Sequence, residues 1–140
     1  MSLVCIVGDN EFDKDQISGF SVVRADGSAD IDCENAAVIV GRNASVNVKN
    51  ALGVIVDGES FSGQIPHGIQ LITCGISPKN TVSITSRTDD KITLSLNRAI
   101  RTAEGVCEPL EQPVSLNDPN PDEYDIMAAF AARLLLSNNI

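Results

Sequence analysis

The sequence predicts an α/β fold in one domain: a mostly parallel sheet, extended by an antiparallel hairpin and closed by a C-terminal helix. Three observations predict it. Five short apolar runs lack polar alternation, as strands buried on both faces do. Two later runs alternate strictly around a polar turn. A last segment repeats apolar residues at one-turn spacing. At 140 residues the chain is one domain's worth and long enough to bury a core.

The runs are LVCIVG (Leu3 to Gly8), FSVVRADG (Phe20 to Gly27), NAAVIVGRN (Asn35 to Asn43), LGVIVDGES (Leu52 to Ser60) and GIQLITCG (Gly68 to Gly75). Each has a short apolar core closed by Gly, Asn or Asp, the residues that turn a chain. The segments between them suit short crossovers between parallel strands. In TVSITSR, Val82 and Ile84 alternate with Ser83 and Thr85; in KITLSLN, Ile92, Leu94 and Leu96 alternate with Thr93 and Ser95. Thr88-Asp89-Asp90 lies between, so the two form a hairpin with one wet face. QPVSL, within a polar stretch, adds one further strand.

The C-terminal helix has start signals as well as a stripe. Asn120 is a good N-cap, Pro121 suits the first helical position, and Glu123 stands three after the cap. Ile126, Met127, Phe130, Ala131, Leu134 and Leu135 form the buried face, and Ala128, Ala129 and Ala132 allow close approach to a sheet. Asp122, Glu123 and Asp125 complement the helix dipole, which assigns these acids a structural task.

Composition excludes several function classes. Ten Lys+Arg against 19 Asp+Glu leave a net charge of −9, a field that repels phosphate backbones and anionic lipid. Neither nucleic acid nor a membrane surface is therefore an expected partner. No 18-residue apolar run exists, and MSLVCIVGDN lacks a basic region followed by a long apolar one, so neither a spanning helix nor a secretory signal is expected. The four cysteines, Cys5, Cys33, Cys74 and Cys107, form no CxxC pair. Cys5 and Cys74 lie in apolar runs, where a thiol acts as a small hydrophobe, and reduced thiols suit the cytoplasm.

Acids cluster from Asp9 to Glu34 and from Glu104 to Asp125, but neither cluster reads as a metal site. A calcium loop starting at Asp9 would place Lys14 where Gly is needed and Phe20 where the bidentate Glu is needed; one starting at Asp26 would place Ile31 and Ala37 there. No Gly-rich phosphate loop is present: VGRNASVNV has one Gly and no Gly-Lys-Thr/Ser after it. The sequence implies no metal and no cofactor. His67, the single histidine, sits in a turn between Pro66 and Gly68. Ser62, in ESFSGQ, loosely suggests a nucleophile turn, yet G-x-S-x-G is absent. Asp57 and Glu59 follow a buried strand end, where ligands bind in open parallel sheets, and are the best polar candidates.

From Gly53 onward the chain resembles the later part of the Mur ligase central domain, a family of ATP-dependent amide ligases. GVIVDGES stands at the strand that ends in an Asn-x-Asp-Asp-type element. LITCGISPKNTVSITS and DDKITLSLN resemble the next strand and the hairpin, and PLEQPVSLNDPNPDEYDIMAAFAARLLLSNN the return strand and alanine-rich helix. Residues 1–52 match poorly. The nucleotide loop is missing, Pro121 and Asp122 stand where the family has His and Asn, and Asp125 stands where it has a second Asn. An acid there would repel a triphosphate.

The resemblance implies a Mur-ligase-like scaffold without the ligase chemistry: a non-catalytic binding or regulatory module tied to the bacterial envelope. Its ligand face would carry Asp57, Gly58, Glu59, His67 and Gly75. Two alternatives stand beside it. One is a small enzyme using His67 with Asp57 or Glu59 as acid–base groups. The other is a homo-oligomer in which a second copy covers an open sheet face or edge.

Overall fold

Strand-forming residues dominate from the first described turn of chain. The computed structural model describes residues 3–8, 19–116 and 122–137. Twelve strands run in chain order: β1 Leu3–Val7, β2 Ser21–Ala25, β3 Ser28–Asp32, β4 Ala36–Val40, β5 Ser45–Asn50, β6 Gly53–Asp57, β7 Leu71–Cys74, β8 Val82–Arg87, β9 Lys91–Leu96, β10 Ile100–Thr102, β11 Gly105–Cys107 and β12 Leu110–Ser115. One helix, α1 Glu123–Ser137, follows.

Eight strands form the central sheet in the order β12-β9-β8-β7-β6-β4-β1-β2. Pairing is parallel from β2 to β8 and antiparallel at β8–β9 and β9–β12. A second, two-stranded parallel sheet pairs β3 with β5, and β10 with β11 makes a small hairpin.

The α/β fold class is corrected by this topology. Among the described residues about half are strand and one helix is found, so the chain is a mostly β protein with stacked, solenoid-like coils rather than a Mur-ligase-like α/β domain. The reason lies in the crossovers. SADID and SVNVKN contain Ser, Asp, Asn and β-branched Val, poor helix formers, and alternate with period two. Ala29 and Ile31 of β3 and Val46 and Val48 of β5 turn to the core, while Ser28, Asp30, Asn47 and Lys49 face outward. A strand carries the chain back across the sheet where an α/β domain would use a helix. The turn from β2 into β3 needs a left-handed residue, and Gly27 supplies it at φ 59°.

Both faces of the central sheet are buried near its middle, which explains the unbroken apolar runs of β1, β4 and β6; β2 is instead exposed at the edge and β7 is buried only at alternate residues. On one face Val4, Ile6, Ala37, Ile39, Ile55 and Ile72 pack with α1. On the other, Cys5, Val7, Val38, Val40, Val54 and Val56 pack against Ile31, Val48 and partly buried Phe61 and Ile65. Toward β8 and β9 only the helix face is apolar, so Val82, Leu94 and Leu96 alternate with Ser83, Thr93 and Ser95.

α1 lies on β4, β6, β7 and β8 and meets β10, where Ala103 N–H donates to Leu135 O at 2.8 Å. Side chains from Tyr124 to Ala132 are all buried, as in a helix packed on more than one side. Leu135 fills the space above Gly53, where a Cβ would lie 2.8 Å from its Cδ1. Asn120 and Pro121, expected to start the helix, fall outside the described residues, as do the acids from Asp9 to Asp15. Capping is seen at Asp122, whose Oδ1 accepts from Tyr124 N–H at 3.0 Å. Arg42 reaches Asp122 and Arg87 reaches Glu123, tying the helix start to two strand ends.

At its two edges the sheet differs. β12 is blunted by Pro113, which cannot donate to a further strand. β2 at the other edge exposes Val22 and Val23.

Candidate functional site

Parallel strands deliver their carboxyl ends to one side of a sheet, and the loops that leave them enclose a groove. Here the 41–46 loop after β4 and the 57–63 loop after β6 enclose about 530 Å³. That lies within the roughly 300–1,000 Å³ of small-molecule sites. Its lining includes Arg42, Asn43, Ser45, Asp57, Ser60, Phe61 and Ser62.

Local sequence builds each wall. β4 ends in Gly41, whose N–H still donates to Val7 O at 2.8 Å. Asn43 then adopts φ 58°, a left-handed conformation that Asn tolerates better than most residues, and re-aims the chain into β5. After β6, Asp57 folds the opposite wall. Its Oδ1 accepts from Glu59 N–H at 2.9 Å, and its backbone carbonyl accepts from Phe61 N–H at 3.0 Å and Ser60 N–H at 3.3 Å. Phe61 then lies against Gly63, where a Cβ would sit 2.9 Å from the ring.

α1 holds the backbone of one lining residue, Val40. The Tyr124 hydroxyl reaches Val40 O at 2.6 Å and Ile55 O at 3.2 Å. These two carbonyls belong to β4 and β6 near the point where their pairing ends at Ile39 and Ile55. A buried phenol thus holds together the two strands whose loops form the groove.

Charge at the groove is crowded. Arg42 donates through both terminal nitrogens to the two oxygens of Asp122, at 2.5 and 3.3 Å. Its guanidinium is held further toward the charged form by that bond and by the charges of Asp122, Asp57 and Asp125. Burial by itself would raise the Asp122 carboxyl, but the Arg42 bond and charge, with backbone N–H groups of the helix start, hold it below the usual carboxylate range. Arg42 is more than half exposed, so the pair contributes at most about 1 kcal/mol.

Two buried titratable groups, Cys74 and Tyr124, are kept neutral. Burial, then the charge of Asp57, pushes the Cys74 thiol far up; burial, then Cys74 and the nearby carboxylates, pushes the Tyr124 phenol far up. Both are uncharged when protonated, so folding holds their protons while the unfolded chain releases them above roughly pH 8.5 and 10. The stability they contribute is complete below those values and is lost as pH rises through them. The urea midpoint is expected to be level near pH 7–8 and to fall from about pH 9 upward. A midpoint unchanged to about pH 10.5 would contradict the burial of these two groups.

Of the residues expected to form a site, Asp57 lines the groove. Glu59 is exposed on the adjoining turn and contributes its backbone N–H to Asp57. His67 is exposed in the turn closed by Ile69 N–H on Pro66 O, and among the described residues it bonds to neither carboxylate. Gly58 and Gly75 share one neighbour that the sequence did not suggest, Asn80. An alanine Cβ at Gly58 would lie 2.0 Å from Asn80 Oδ1, and one at Gly75 would lie 2.5 Å from its Nδ2. Their glycines make room for a buried carboxamide that donates to Ser77 O. Arg42, Asn43, Phe61 and Tyr124 were also missed, although Arg42 and Asn43 follow a buried run just as Asp57 does.

No protein-family model, curated protein or solved structure matches the chain. Chemistry has to be read from the groove itself. Among the described residues no cluster of three or more His, Cys, Asp or Glu side chains could hold a metal ion. No helix among them is long and apolar enough to cross a membrane.

Proposed function

We propose that this protein is a non-catalytic binding module whose small-molecule ligand occupies the groove between the 41–46 and 57–63 loops. The observation that carries this reading is the groove's placement at the carboxyl ends of β4 and β6, with its charged groups already committed to static contacts. Arg42 is engaged by Asp122, and Asp57 organises its own turn. Groups fixed in this way present a preformed surface, and preformed surfaces bind without a large ordering cost. We place the module in the cytoplasm; the four free thiols, three of them buried, favour a reducing compartment.

Ligand-observed NMR with a defined library of small polar metabolites tests this. At least one compound should receive saturation from the protein, and Phe61→Leu should reduce its affinity by about threefold to tenfold, the range of one lost wall contact. The compounds should be chemically unchanged after prolonged incubation. Conversion of any of them would overturn the non-catalytic assignment. Binding indifferent to Phe61→Leu would move the site elsewhere.

A further inference from the structure

Resting on the binding reading of this groove, we propose that its ligand is an uncharged polyhydroxylated molecule of the saccharide class.

Charge excludes the alternatives. Among the described residues Arg42 is the one cation of the lining, and both of its terminal nitrogens already contact Asp122. The charges of Asp57 and Asp125 also act on it, more weakly than that of Asp122. A phosphate or carboxylate ligand would find the Arg42 charge already balanced by Asp122 and would meet Asp57 on the opposite wall. The chain's net charge of −9 adds long-range repulsion. An ammonium ligand fares little better: it meets the Arg42 guanidinium in the same lining, and one Asp57 oxygen already accepts from Glu59 N–H.

The remaining groups suit hydroxyls. Ser45, Ser60 and Ser62 each offer a donor and acceptors, and Asn43 offers two donors and an acceptor. A hydroxyl can donate to a carboxylate and accept from an N–H at the same time, so one kind of ligand group satisfies this mixed lining without carrying charge. Phe61 supplies an apolar wall for the C–H face of a ring. The volume, about 530 Å³, admits a sugar ring with its substituents.

The test uses the full chain, labelled with ¹⁵N, and three kinds of probe at equal concentration. These are neutral mono- and disaccharides such as methyl glucoside, N-acetylglucosamine and cellobiose; the anions ATP and inorganic phosphate; and the cation choline. The expected result is a saturable shift of the amides of residues 41–46 and 60–63 with a saccharide alone. Ser62→Ala, at an exposed position with no hydrogen bond among the described residues, should weaken it by about threefold to tenfold. Shifts of the same amides by ATP, phosphate or choline, with saccharides silent, would overturn the ligand class and leave the groove as a binding site. Silence at those amides from every probe would overturn both.

Discussion

Tyr124→Ala should lower unfolding free energy by about 3–5 kcal/mol, the range for deleting a large buried aromatic. The ring is 3% exposed and lies at the first turn of α1, between the helix and the carboxyl ends of β4 and β6. Two losses add. Removing the ring leaves a cavity beside Ile39 and Ile55 that the sheet cannot collapse to fill. Removing the hydroxyl takes away the single proton that the Val40 and Ile55 carbonyls share at 2.6 and 3.2 Å. Tyr124→Phe separates the two, because only the hydroxyl goes; it should cost about 1–3 kcal/mol, the penalty for leaving a buried acceptor without its partner. Urea denaturation of both variants against the parent gives the numbers. With domains stable by about 5–15 kcal/mol, the alanine variant should be partly unfolded at 37 °C. A Tyr124→Phe midpoint equal to the parent's would remove the phenol from its role as the clamp of the groove. If the clamp holds, the same variant should also broaden the amides of residues 41–46, because the β4 end is then free to part from β6.

Gly58→Ala is the second large expectation. Gly58 has no left-handed φ, so a methyl group there is costly only for want of space. That space is taken: the new Cβ would lie 2.0 Å from Asn80 Oδ1 and 3.3 Å from Thr73 Cβ. Asn80 cannot simply swing away. It is 4% exposed and its side-chain Nδ2 donates to Ser77 O at 3.0 Å, while its backbone carbonyl accepts from Asn97 Nδ2 at 2.9 Å. Asn97 in turn bonds Ser83 and Ser95, so a shift at Asn80 spreads to the β8–β9 hairpin. Overpacking of this kind costs about 1–3 kcal/mol. The decisive measurement is the double variant with Asn80→Ala, which opens the space the methyl group needs. Its destabilisation should fall short of the sum of the single effects by at least about 1 kcal/mol. Additive behaviour would mean that Gly58 and Asn80 do not meet.

These two residues show where sequence reading ends. Asp57 and its glycine were legible because a buried run followed by Asp-Gly marks a strand end, and strand ends carry ligand loops. The same logic applied to VGRN would have found Arg42 and Asn43, the opposite wall. Asn80 was not legible, since nothing in SPKNTV says that its carboxamide fills the gap left by two glycines 17 residues apart. Nor was Tyr124 legible as a clamp. Its hydroxyl bonds carbonyls 84 and 69 residues away, and its position in the helix stripe suggested core alone.

The error of fold class has a physical origin in the crossovers. A continuous apolar strand requires two covered faces, and helices are the common cover, so buried strands were read as an α/β sheet. Solenoid-like coils cover a face with strands instead. Ala29, Ile31, Val46 and Val48 carried that signal in their alternation, which was weaker than the apolar runs around it.

The chain by itself determined what depends on neighbours in sequence: that the apolar runs and the alternating pair are strands, and that the alanine- and leucine-rich segment near the C-terminus is a buried helix. Period and turn chemistry are local properties, readable from spacing. Tertiary structure alone decided what covers each sheet face, which strand ends lie side by side, and which buried polar groups meet. Those are set by packing between residues tens of positions apart, where the free energy comes from filled space and satisfied hydrogen bonds rather than from any local pattern.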